Sequence, residues 1–182
     1  GANDNLIFDG NSFVLDKNGS KIKQLKSFAE DLSSWDIEQT KPQKNKFEKS
    51  EMSSIFDALV LGVRDYAQKC GFKTALIGLS GGIDSALVSA IATAALGSNN
   101  IYCVSMPSKW SSSHSKSDAK DLARRLKINF NSIPIENLMS SFEESFINTI
   151  SFEMAEITNQ NIQSRIRGTL LMALANQEKH LL

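Results

Sequence analysis

The chain has no charge excess, because twenty Lys and Arg balance twenty Asp and Glu over 182 residues. A nucleic-acid binder should show a basic surplus, so no nucleic-acid partner is expected beyond what a local basic groove would allow. Long hydrophobic runs are missing too, and the apolar stretches present are far too short to span a bilayer, so no membrane partner is expected. No charged n-region, apolar h-region and cleavage site open the chain, so no secretory signal is expected. Cysteine is scarce: Cys70 and Cys103 lie far apart and outside any paired motif with His, which points to a reducing, cytoplasmic setting without a zinc site. His114 and His180 are equally isolated and read as surface histidines. No Ser/His/Asp or Cys/His constellation suggests a nucleophilic side chain, and there is no internal repeat.

What is present divides in two. Residues 1 to 25 read as short strands and turns, with Asp9-Gly10 and Asn18-Gly19 as hairpin signals between partly alternating runs. From Ser33 to Ser53 the chain is polar, carries Pro42 and a lysine-rich run, and lacks a sustained period, which marks a linker. From Ser54 helices alternate with short apolar runs. Ile55, Leu59, Val63 and Tyr66 mark one face of a helix that Gly71 ends. "TALIGL" reads as a buried strand, followed by a helix from about Asp84 to Leu96, the strand "IYCVSM", a helix from about Ser117 to Lys127, the strand "NFNSIPI" and two more helices. This alternation predicts an α/β fold, an open parallel sheet with helices on both faces. Ala86, Ala90 and Ala94 are spaced to let the first of these helices lie close on the sheet.

The stretch "SGGIDS", residues 80 to 85, falls in the first β-to-α turn, where open α/β sheets hold phosphates. Gly81 and Gly82 allow unusual backbone angles and leave no Cβ to block an oxygen. Ser80 and Ser85 add hydroxyls, and the helix that follows presents free N–H groups and its positive dipole end. The turn is therefore shaped to cradle an anion, and phosphate is the anion expected. A bare Asp84 would repel phosphate oxygens unless Mg²⁺ lay between them, since Mg²⁺ takes one or two carboxylates together with substrate phosphates. The bland alternative is a helix cap at Ser80 or Asp84 with a tight glycine turn. The loop lacks the Lys of G-x-x-x-x-G-K-[ST] and the spacing of G-x-G-x-x-G.

Asn161, Arg165, Gly168 and Met172 share one face of the last helix, beside an apolar stripe of Ile162, Ile166, Leu170 and Leu174. Read from residues alone, Arg165 and Arg167 are solvated or paired surface charges. The serine run from Ser111 to Ser117 is either a plain flexible connection or a mobile cover over the sheet's ligand edge, with Met106 and Ser108 nearby.

"SGGIDS" resembles the S-G-G-x-D-S loop of the ATP pyrophosphatases, which split ATP into AMP and pyrophosphate to adenylate a substrate. Residues 104 to 128 and 159 to 182 resemble the synthetase domain of glutamine-dependent NAD⁺ synthetases, and "GANDNLIFDGNSFVLDKNGSKI" is similar to the end of their nitrilase-like glutaminase domain. The resemblance implies a remnant of that domain over 1–32, a linker over 33–53 and a truncated synthetase domain over 54–182. It implies that Gly78, Leu79, Ser80, Gly81, Gly82, Ile83, Asp84 and Ser85 bind the pyrophosphate end of ATP, with Mg²⁺ on Asp84. It implies that Asn161 and Arg165 bind deamido-NAD⁺; Gln160 stands where many relatives carry glutamate. The implied reaction amidates deamido-NAD⁺ with ATP and with ammonia drawn from glutamine, in a homo-oligomer. The glutaminase Glu-Lys-Cys site and a T-G-N-K-S-E segment have no match here, so these residues alone are expected to turn over slowly or not at all. The same loop also suits another adenylating ligase, such as a GMP synthetase or a tRNA-modifying enzyme, or an ATP-binding module without chemistry.

Overall fold

The computed structural model describes residues 1–3, 6–36, 38, 50–150 and 154–182; residues 37 and 39–49 of the expected linker lie outside them. The chain forms two compact units, Gly1–Lys69 and Cys70–Leu182.

In the first unit β1 (Ala2–Asn3) pairs antiparallel with β2 (Leu6–Ile7), and β3 (Phe13–Leu15) pairs antiparallel with β4 (Lys21–Gln24). The Asn18-Gly19 signal turns the β3–β4 hairpin. Asp16 Oδ1 accepts from the N–H groups of Asn18 and Ser20, both at 2.8 Å, and Gly19 takes φ +80°. Asp9-Gly10 does not turn a hairpin as expected; it joins the two ribbons, with Gly10 bridged to Ser27.

Helix α1 (Glu51–Lys69) packs on β1 and β2. The Asp65 carboxylate accepts from the Ala2 N–H at 2.6 Å, and the Lys69 ammonium donates to the Ala2 carbonyl. Its buried residues are Val60, Leu61 and Ala67, whereas Ile55, Leu59 and Tyr66 of the expected face are exposed. The helix is apolar on more than one side, so periodicity alone could not say which stripe the small β-ribbon would cover.

The second unit is a parallel sheet in the order β5 (Ala75–Gly78), β6 (Ile101–Ser105), β7 (Asn129–Ser132). On the free side of β5 the chain returns beside it: Leu181 bridges Ala75 in parallel, its N–H donating to Thr74 O and its carbonyl accepting from Leu76 N–H. Successive side chains of a strand point to opposite faces. On one face Ala75, Leu79, Ile101 and Cys103 meet Ala92 of α2 (Ile83–Leu96) and Ala119 and Ala123 of α3 (Ser113–Leu126). On the other, Leu76, Val104 and Met106 meet Met139 of α4 (Glu136–Ile150) and Ile166 and Ala175 of α5 (Glu156–Glu178). The predicted open α/β sheet with helices on both faces is thus the observed architecture.

Three expectations need correction. The buried residues of α2 are Ser89, Ile91, Ala92 and Ala95, with Ala92 in the sheet's core, whereas none of the expected Ala86, Ala90 and Ala94 is buried. Ser89, fully buried, is accommodated because its hydroxyl donates to Ser85 O at 2.8 Å, removing the cost of an unpaired buried hydroxyl. The serine run is neither loop nor cover along most of its length, because α3 begins at Ser113 with Ser112 as N-cap, accepting from the Ser115 N–H at 3.0 Å. His180 is not a free surface histidine; it stacks on Tyr102 with ring centroids 4.5 Å apart, and its Nδ1 pairs with Thr74 Oγ1 at 2.6 Å.

Candidate functional site

Strand β5 ends at Gly78, and the chain must reverse into α2 within a few residues. Leu79, 1 % exposed, anchors the turn from below, its N–H donating to Val104 O at 2.9 Å. Above it the serines brace the loop. Ser85 Oγ accepts from the Ser80 N–H at 3.3 Å and donates to Gly82 O at 3.0 Å, while Ser80 Oγ accepts from the Gly82 N–H at 3.2 Å. Gly81 takes φ +86°, where a side chain would be strained, and a Cβ there would collide with the backbone carbonyl of Ser115.

The two helix starts that meet here differ. Ser112 caps α3 with its own hydroxyl, satisfying that helix internally. The N-cap of α2 is Gly82, which has no side chain to cap with, so neither Ser80 nor Asp84 is the cap. The first N–H groups of a helix have no intrahelical acceptor, and at α2 no side chain caps them, with the positive end of the helix dipole behind them.

A cleft of about 310 Å³ opens at the carboxyl ends of β5 and β6, within the size range of small-molecule sites. Gly78, Leu79 and Ser80 form one wall; Val104, Met106 and Pro107 follow from β6. Ser115 and Lys116 enter from α3, and Arg167 and Leu171 from α5. Among the described residues, those lining the cleft include two cations and no carboxylate. The Arg167 guanidinium donates through Nε to Met106 O at 3.0 Å and through a terminal nitrogen to Gln163 Oε1 at 3.4 Å, and burial lowers its pKa from the usual value. At Gly78 a Cβ would come 2.9 Å from Leu171 Cδ1, the end of a flexible side chain that would have to shift.

The remaining expected residues fall around this cleft. Gly81, Gly82 and Ile83 border a neighbouring groove with Asp118, Asp121 and Arg125, on the far side of the loop. Asp84 is exposed in the first turn of α2. Asn161 and Arg165 are exposed on α5, and Arg165 lies with Gly168, Thr169 and Met172 along a separate shallow concavity. Gly168 has open space where a Cβ would be, so the face is accessible. Met106 lines the cleft, whereas Ser108 is buried and bound to Ser111, its N–H donating to that hydroxyl at 3.0 Å. Sequence reasoning missed Arg167 and Lys116. The available signal was Lys116 in the first turn of a helix, where a cation is unfavourable; nothing in the spacing distinguished Arg167 from its neighbour Arg165.

Among the described residues no cluster of three or more His, Cys, Asp or Glu gathers as a metal site, and no helix is long and apolar enough to cross a membrane.

A sheet wound on both faces, with an anion-shaped loop at the first crossover and an adjoining cleft free of carboxylates, defines an open α/β protein of the phosphate-loop class. The family described as NAD synthase matches residues 55–182, and the chain belongs to it. The glutamine-dependent NAD⁺ synthetase of Synechocystis sp. is 44 % identical over 187 residues, spanning 100 % of this chain and 34 % of the relative. That of Rhodobacter capsulatus is 40 % identical over 183 residues, spanning 97 % and 33 %. The solved structure of the glutamine-dependent NAD⁺ synthetase from Acinetobacter baumannii in complex with ADP superposes with a TM-score of 0.87 at 39 % identity, over 96 % of this chain and 34 % of that one. The chain therefore spans about a third of the length of the curated relatives it matches.

Proposed function

We propose that this chain is the nucleotide-binding part of a ligase that amidates deamido-NAD⁺ to NAD⁺ at the expense of ATP, with ammonia taken from glutamine. The observation that carries the reading is the serine-braced glycine turn between β5 and α2, whose Gly78, Leu79 and Ser80 wall a cleft that holds cations and no carboxylate among its described lining residues. It is supported by the names of the relatives and by the ADP bound in the Acinetobacter baumannii structure.

In this reading Gly78 to Ser85 hold the pyrophosphate end of ATP. Ser80 and Ser85 keep the loop in shape, and the backbone N–H groups stabilise charge growing on the leaving oxygens without reorganising. A nicotinate carboxylate oxygen attacks the α-phosphorus as the bond to pyrophosphate breaks. Ammonia then attacks the acyl carbon, AMP leaves with the oxygen, and the nitrogen loses a proton. No side-chain nucleophile is required.

Magnesium fits the donors present: Asp84 is exposed at the loop, and none of the hydrogen bonds or ion pairs among the described residues occupies it. When bound, the ion would neutralise charge on the leaving pyrophosphate. Asn161 and Arg165 are proposed to meet deamido-NAD⁺ on the exposed face of α5, a polar pair beside the open space at Gly168. We further propose a remnant of a nitrilase-like glutaminase domain over 1–32, a linker over 33–53 and part of the synthetase domain over 54–182, self-association, and a cytoplasmic setting in which Cys70 and Cys103 remain free thiols.

The test is made on the full-length protein with ATP, Mg²⁺, deamido-NAD⁺ and ammonium, read by nucleotide chromatography. NAD⁺ and AMP should appear in equal amounts and disappear in Asp84→Ala. AMP formation indifferent to deamido-NAD⁺ would move the chemistry to another acceptor, and unchanged ATP would leave a binding module.

A further inference from the structure

Lys116 occupies the first turn of α3, the positive end of a helix dipole, where an acidic residue is the usual choice. That turn holds no acidic residue, and none of the ion pairs among the described residues includes Lys116. The other end of the same helix follows the rule, with Arg124 and Arg125 in its last turn. With no carboxylate partner among the described residues, the exposed ammonium is free to meet an anion in the cleft. Lys116 lines the cleft, facing a space that Arg167 enters from a helix on the opposite face of the sheet.

The loop fixes where that lysine stands. The Ser115 carbonyl approaches Gly81 so closely that only glycine fits, so Lys116 is held one residue from the phosphate loop. The two cations differ in character. Arg167 is pinned by Met106 O and Gln163 Oε1 and offers a fixed fork, whereas Lys116 is exposed, a point charge on a flexible stem.

We propose that Lys116, opposite Arg167, grips the phosphate chain of a nucleoside triphosphate, so that the cleft sorts its ligands by phosphate charge. This rests on the nucleotide reading of the cleft and adds to it a residue that follows the ligand's phosphates as they move.

The test titrates ATP and adenosine calorimetrically into the full-length protein, unaltered and as Lys116→Met, Lys116→Arg and Lys120→Met. ATP should bind the unaltered chain more tightly than adenosine. Lys116→Met should weaken ATP roughly tenfold, the loss expected for one charge-assisted contact, and leave adenosine unchanged. Lys116→Arg should restore most of the ATP affinity, and Lys120→Met, one turn on and outside the cleft, should change nothing. Lys116→Met binding ATP like the unaltered chain would overturn the proposal. So would an equal loss for ATP and adenosine, or an equal effect of Lys120→Met, which would mark the general field of the helix. If the unaltered chain binds no ATP, the nucleotide reading fails first, an outcome distinct from the others.

Discussion

The backbone carbonyl of Ser115 lies against Gly81 at a distance no Cβ could tolerate, so the turn over residues 80–85 and the first turn of α3 are built as one piece. Gly81 also takes φ +86°, and the two demands reinforce each other. Gly81→Ala should cost about 1–3 kcal/mol from backbone strain, with a further loss from displacing Ser115. A thermal melt measures the first; loss of ATP binding beyond what the melt explains measures the second.

Asp84→Asn should lower the melt only slightly, through loss of a carboxylate at the positive end of α2, because the side chain is exposed and no hydrogen bond or ion pair among the described residues holds it. ATP affinity should lose its dependence on Mg²⁺ in this variant. A calorimetric titration with and without Mg²⁺ checks it, and an unchanged dependence would remove Asp84 from the metal role.

Cys103 is 1 % exposed, and burial raises its thiol pKa while a hydrogen bond with Ser89 opposes the rise. A raised folded-state pKa means that the folded protein holds this proton more tightly than the unfolded chain does. Its contribution to stability is therefore complete below the ordinary thiol pKa of about 8.5 and is lost as pH rises toward the folded value. Denaturant melts should show stability declining above that pH, and less so in Cys103→Ala than in the unaltered chain. At neutral pH a thiol reagent should modify exposed Cys70 quickly and Cys103 only as the fold opens.

His180 fastens the returning chain to the sheet through its stack on Tyr102 of β6 and its bond to Thr74 Oγ1 just before β5. His180→Ala should cost about 1 kcal/mol or somewhat more, the sum of one ring contact and one hydrogen bond. Faster amide exchange at the Leu76 N–H, which donates to Leu181 O, would localise the loss to the free side of β5.

Much of the fold is legible in the sequence because it follows from local rules. Ile162, Ile166, Leu170 and Leu174 recur at helical spacing, and all four belong to the core beneath the sheet. "SGGIDS" concentrates residues that a tight anion-facing turn requires, and the turn lies where the strand–helix alternation put it. Legibility fails where a segment is apolar or serine-rich on every side. On α1 and α2 several stripes satisfy the period, and the neighbour that covers one of them decides. Ser112 reads as loop composition until Ser115 turns its N–H back to it.

Periodicity and turn chemistry act over a few residues, and they sufficed for the alternation of strands and helices, the parallel sheet and the position of the glycine-serine turn. Which cations line the cleft is settled only by the assembled fold. Lys116 and Arg167 lie far apart along the chain and come from opposite faces of the sheet, and their shared space exists because β5 and β6 end side by side beneath them. A charge's role depends on what it faces across the fold, and no local pattern records that.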